Sequence, residues 1–145
     1  MQINYAEINA RAIGHILTAK KHVPTINDRL KAILELRVSQ INGCAFCIDL
    51  HSEEARAAGE SQQRLDCLSV WQECGLFSEK EQAALAWSES LTRISETRGL
   101  EGQVQELAQY FSEAEIVDMT YVIALMNCLN RISISMGDRP EPRVV

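Results

Sequence analysis

Apolar residues along this chain recur every three or four positions, and no stretch alternates apolar with polar residues long enough to demand a strand. Ile8, Ala12, Ile16 and Ala19 mark a first helix over Tyr5 to Lys21, with Pro24 just beyond its end. Leu30, Ile33, Leu34, Val38 and Ile41 form the stripe of a second, Ile26 to Ile41, with Gly43 as the break. A third helix opens near Cys44 and ends before Gly59; a fourth runs from Gln62 to Glu73 and is closed by Gly75. Two later helices begin with capping boxes, Ser78-Glu79-Lys80-Glu81 and Ser112-Glu113-Ala114-Glu115. In each, the serine accepts from a free backbone N–H and the glutamate reaches back to the cap.

The helix from Ser78 extends to Ile94 with Trp87 expected inside, and a polar link, Ser95 to Gly99, leads to a short helix over Gly102 to Tyr110. The last helix, Ser112 to Met136, is apolar on nearly all sides, which predicts either a central helix or one covered by a neighbouring subunit. Gly137 to Val145 holds two prolines and several charges and is expected to be a loose arm. The expected fold is therefore all-α, a single domain over residues 1–145 built from six to seven helices.

Composition narrows the function classes. A chain of 145 residues buries a core without disulfide staples, and only 7 glycines and 3 prolines leave room for long helices. The net charge of −6, with acidic residues spread along the chain, argues against nucleic acid as a partner. The segment MQINYAEINARAIGH lacks the apolar core of a signal peptide, and the longest apolar run, Tyr121 to Met126, is too short to span a bilayer. A cytoplasmic protein with no membrane partner is the expectation.

In a reducing compartment, thiols stay free unless they react or bind metal. Five cysteines are present. Cys67, Cys74 and Cys128 have apolar neighbours and read as packed core thiols. Cys44 and Cys47 differ because of their spacing in NGCAFCIDLH. With Cys44 in the first turn of the third helix, Cys47 follows by three residues and His51 by seven, so all three share one face.

A free thiol, with a pKa of about 8.5, is mostly protonated at neutral pH, and its thiolate is the nucleophile. The positive end of the helix favours ionisation of Cys44, whereas an imidazole one turn away favours Cys47. The closeness of His51 assigns attack to Cys47 and resolution to Cys44. Glu35, at the middle of the second helix, is the nearest candidate by sequence for a carboxylate that orients the histidine.

A zinc site is the first alternative, but C-x2-C-x3-H offers three ligands from one helix, and Cys67 and Cys74 are too far apart to complete a knuckle. Packed thiols with an incidental histidine are the second. Haem attachment is excluded, because Ile48 stands where a histidine must follow the second cysteine. No Gly-rich dinucleotide fingerprint occurs, and neither a metal nor an organic cofactor is expected. His15 and His22 receive no role; Asn127 and Arg131 fit either a subunit interface or the site.

The stretch Leu36 to Arg56, LRVSQINGCAFCIDLHSEEAR, closely resembles the AhpD-like alkylhydroperoxidases of the carboxymuconolactone decarboxylase superfamily, with Phe46 in place of a tyrosine. Weaker similarity continues through Phe77 to Thr92 and Met126 to Ser135. The resemblance implies an all-helical homo-oligomer, a trimer or hexamer, that reduces peroxides through the CxxC pair. It implies that Cys47 forms the sulfenic acid, that Cys44 donates a proton and resolves, and that His51 belongs to a proton relay. The decarboxylase branch lacks the CxxC and fits poorly.

Relatives often carry the relay glutamate twelve residues before the first cysteine, where this chain has Ala32; Glu35, one turn later, is the expected substitute. A histidine of AhpD itself is replaced here by Phe46. The expected activity is thus a thiol peroxidase whose disulfide is reduced by an external dithiol or disulfide-reductase protein. A redox sensor without turnover, or a general thiol–disulfide oxidoreductase of the same fold, is the alternative.

Overall fold

The computed structural model describes residues 1–143, and within them every regular element is helical. In chain order these are α1 (Tyr5–Ile8), α2 (Ala10–Lys20), α3 (Asp28–Asn42), α4 (Ala45–Ala57), α5 (Gln62–Cys67), a 3-10 turn (Leu68–Val70), α6 (Trp71–Cys74), α7 (Glu79–Thr92), α8 (Leu100–Leu107) and α9 (Glu113–Met136). None is long and apolar enough to cross a membrane.

The centre belongs to α3, which packs against α4, α7 and α9. Every residue from Ala32 to Ser39 is buried, including Glu35, Arg37 and Ser39. A helix buried all round must satisfy its polar side chains internally. Arg37 reaches Glu89 of α7, and Trp71 Nε1 donates to the same carboxylate at 2.9 Å. Ser39 Oγ donates to the Glu35 carbonyl and accepts from Asn130 of α9.

Within one chain, α9 does not hold the central place that its composition suggested. Met119, Val122, Ile123 and Met126 enter the core, but Val117, Tyr121 and Ile134 remain about half exposed on the outer face. Ser78 with Glu81 and Ser112 with Glu115 close both capping boxes, and Trp87 is buried.

Two expected helices are broken. Asn9 interrupts the first by presenting its side chain to the Ala12 N–H and so starting α2. The fourth passes through a 3-10 turn at Leu68–Val70, which lets Leu68 and Trp71 both face the core. Cys67, Cys74 and Cys128 are free and partly buried; Cys74 packs against the core as expected of a core thiol, but none of the three is fully buried. Beyond α9 no regular structure occurs up to residue 143, yet Asp138 accepts from Tyr5 and Arg143 pairs with Asp49 and Glu53 of α4; Val144 and Val145, also part of the expected arm, lie outside the described residues.

Candidate active site at the start of α4

The turn that joins α3 to α4 sets the position of both cysteines. Gly43 ends α3 in the left-handed region at φ 70°, a conformation that costs a residue with a Cβ about 1–2 kcal/mol. The chain then doubles back, and the amides of Gly43 and Cys44 both bond to the Ser39 carbonyl. On the other side of the turn, Asn42 Nδ2 donates to Asn127 and Asn130, which fixes the end of α3 to α9. Asn127 in turn donates to Thr92 and accepts from Arg131, so this amide ladder is where the structure places both residues.

Cys44 is the N-cap of α4: its sulfur accepts the Cys47 N–H at 3.3 Å. The two cysteines are joined as a disulfide with Cα atoms 5.2 Å apart, and both are buried. His51 lies one turn beyond Cys47 and is 2 % exposed. Helical side chains lean toward the N-terminus, so the imidazole leans toward the turn that carries Cys47.

Two carboxylates meet the Nδ1 atom of His51. Glu54 Oε2, on the next turn of α4, is at 2.7 Å, and Glu35 Oε2, from α3, is at 3.4 Å. Glu35 is buried, and its other oxygen lies 2.8 Å from Lys20 Nζ at the end of α2. Lys31 Nζ donates to the Lys20 carbonyl, fastening the C-terminus of α2 beside the site. The Glu54 carboxyl is held below its ordinary value, first by the hydrogen bond with His51; partial burial works in the opposite direction, and the charges of His51, Lys20 and Lys31 add to the lowering.

Of the residues singled out in the sequence, Cys44, Cys47 and His51 are carried by the start of α4, Cys44 and Cys47 joined to each other, and Glu35 is brought to His51 from α3. Glu54 and Lys20 were not among them. Glu54 sits in the EEAR segment three residues after the histidine, a helical-neighbour spacing that could have marked it. The role of Lys20 depends on how α2 docks, which no local pattern encodes.

A cleft of about 580 Å³ opens onto this cluster from the carboxylate side, bordered by Leu17, Lys20, Ala32, Glu35 and Glu54. Ala32 and Glu35 thus share one wall, one turn apart. The donor atoms of Glu35, His51 and Glu54 lie within 4.8 Å of one another, close enough to chelate a cation. A metal there would have to displace the Nδ1 proton and oppose the Lys20 ammonium, so the donor set is better explained by its own hydrogen bonds and ion pair.

A sequence model of the carboxymuconolactone decarboxylase family matches residues 9–90, more than half of the chain. The chain belongs to that family. Over 140 residues it is 38 % identical to the uncharacterized protein YdfG of Bacillus subtilis, covering 95 % of each. A solved protein of unknown function from Agrobacterium tumefaciens, related by name to the antioxidant defence protein AhpD, is 35 % identical and superposes with a TM-score of 0.90 over 97 % of this chain and 99 % of the other. Within the carboxymuconolactone decarboxylase family the protein is AhpD-like. The debrominase Bmp8, solved with 2,3,4-tribromopyrrole, shares the fold with a TM-score of 0.78 at 23 % identity, over 90 % of this chain and 69 % of its own.

Proposed function

We propose that this AhpD-like protein is a thiol-dependent peroxidase acting on hydrogen peroxide or an alkyl hydroperoxide. The observation that carries the reading is the arrangement on α4, where a helix-capping cysteine, a second cysteine and a carboxylate-held histidine occupy successive turns of one face.

In the reduced protein, His51 takes the Cys47 proton and the thiolate attacks one peroxide oxygen. The O–O bond breaks, Cys47 becomes a sulfenic acid, and the leaving alkoxide or hydroxide takes a proton from the Cys44–His51 side. Cys44 sulfur then attacks the sulfenic sulfur, water leaves, and the Cys44–Cys47 disulfide forms. An external dithiol, small or carried by a partner protein, returns both thiols by exchange and is itself oxidised to a disulfide. The net change is one peroxide and one dithiol converted to an alcohol or water, a second water and one disulfide. Glu54, at 2.7 Å from Nδ1, orients and stabilises the imidazolium that forms on the way.

Self-association belongs to the same reading. The outer face of α9 presents Val117, Tyr121 and Ile134, and Met119 to Asn130 contains no charged side chain, which suits packing against other copies in a trimer or hexamer.

The test is stopped-flow peroxide consumption by the reduced protein with excess dithiol, beside Cys47→Ser. Multiple turnovers that vanish in the variant are the expected result. Loss of two thiols once per chain and nothing further would indicate a redox sensor, and equal rates in the variant would remove Cys47 from the chemistry.

A further inference from the structure

His51 Nδ1 faces two carboxylates and has a single proton to share between them. Distance separates the two: 2.7 Å to Glu54 is a strong hydrogen bond, whereas 3.4 Å to Glu35 lies outside the usual range for N–H···O. Charge separates them further. The Lys20 ammonium lies 2.8 Å from Glu35 Oε1, an ion pair by distance without hydrogen-bond geometry, in a site where side-chain exposure is 16 % for the lysine and 2 % for the glutamate. Glu54 makes no ion pair other than that with His51 among the described residues.

The other charged groups bordering the cluster favour neither carboxylate by contact: Lys31 donates to the Lys20 carbonyl and its charge helps keep Glu54 ionised, and Lys21 and Asp28 are exposed at the cleft rim. Ser39 binds the Glu35 carbonyl and leaves the Glu35 carboxylate untouched.

We propose that Glu54 is the carboxylate that holds the His51 Nδ1 proton, and that Lys20, by compensating Glu35, is the positioning residue that directs His51 to Glu54. A proton fixed on Nδ1 leaves Nε2 as the acceptor, the atom available to the turn that carries Cys47. Glu54 is suited to this task because its side chain is 48 % exposed, so it stays ionised without being a buried unpaired charge. Glu35 and Lys20 instead form a neutral pair that ties α2 to α3 behind the histidine. The relay carboxylate then comes from the same helix as the cysteines, and the N-terminal helix α2 becomes part of the site.

The kinetic half of this proposal rests on the peroxidase reading; the location of the proton does not. It is tested in the disulfide form by NMR of the His51 Nδ1 proton, identified by its absence in His51→Gln. The signal is expected downfield and protected in wild type, retained in the Lys20→Met/Glu35→Gln double variant, and lost in Glu54→Gln. Its retention in Glu54→Gln overturns the proposal, as does its loss in a double variant that circular dichroism shows to be folded.

Because Glu54 is half exposed, its single variant is expected to fold and decides the matter even where the buried pair cannot be removed. In the reduced protein, Glu54→Gln should slow peroxide consumption about tenfold, the lower end of what losing a histidine's orienting partner costs. Lys20→Met should slow it less, because the freed Glu35 carboxylate then competes for the same proton. Wild type that consumes no peroxide would sink the function while leaving the NMR result to stand alone.

Discussion

Cys44 caps the helix that carries Cys47: its sulfur lies 3.3 Å from the Cys47 backbone nitrogen and accepts that N–H. One residue therefore supplies both half of the disulfide and the start of α4. The two roles separate in Cys44→Ser, because serine is a preferred N-cap and should preserve the helix. The variant is expected to melt close to the reduced wild type. It should also react once with peroxide, keep a sulfenic acid on Cys47 that a dimedone probe traps, and lose steady-state turnover. Sustained turnover in Cys44→Ser would show that an outside thiol resolves the sulfenic acid.

Gly43 offers a backbone test of the same turn. A Cβ added there meets nothing within 4 Å, so Gly43→Ala introduces no clash and isolates the left-handed conformation at φ 70°. The expected loss is about 1 kcal/mol, read as a lower urea midpoint at unchanged slope, together with a fall in melting temperature of roughly 2–4 °C. A larger loss would mean that the alanine moves Cys44 off its capping position.

Much of this local architecture was legible because it is coded by neighbours in the chain. The serine and glutamate of each capping box lie three residues apart, and Cys44, Cys47 and His51 lie on one helical face whatever the helix packs against. Asn9 was equally local, an N-cap residue inside an apolar pattern that the longer period concealed. Glu35 was harder, because a mid-helix carboxylate is ordinarily solvated; only the packing of α3 on all sides makes it buried. Lys20 and the partial burial of Cys67, Cys74 and Cys128 depend on how distant elements dock, so tertiary contact alone decides them.

Acid stability should be governed by a second charge cluster, away from the thiols. Arg64 pairs with Glu60 at 2.8 Å and Glu81 at 2.6 Å, stacks over Phe77 and donates to the Leu76 carbonyl. Burial pushes both carboxyls up. For Glu60 the hydrogen bonds from Arg29, the Ser61 N–H and Arg64 outweigh burial, and for Glu81 those from Arg64 and Ser78 do, so both end below their ordinary values. A lowered folded value means that the unfolded chain binds protons first as pH falls. The stabilisation is complete above the ordinary carboxylate range and disappears as pH drops through the lowered values. Arg64→Met should cost about 3 kcal/mol at pH 7, near the low end for breaking a buried pair because Arg29 still holds Glu60. It should also flatten the dependence of the urea midpoint on pH between about 5 and 3, since the two protonation states of fold and coil then differ less. A variant that keeps the wild-type slope would remove Arg64 as the cause.

The outer face of α9 makes the last prediction. Tyr121 is 59 % exposed and Val117 52 % exposed, one turn apart, on a helix whose middle carries no charge. Tyr121 contributes its ring to no core cluster and makes no hydrogen bond among the described residues, so folding of a single chain gains little from it. A carboxylate at this position would face water harmlessly in a monomer but would be desolvated in an interface, at a cost large enough to disfavour association. Sedimentation of the wild type is therefore expected at a multiple of the 16.3 kDa chain, and Tyr121→Glu is expected to move toward the single chain at low micromolar concentration with its helical content intact. If wild type and variant both sediment as one chain, the exposed face of α9 is not a contact between copies.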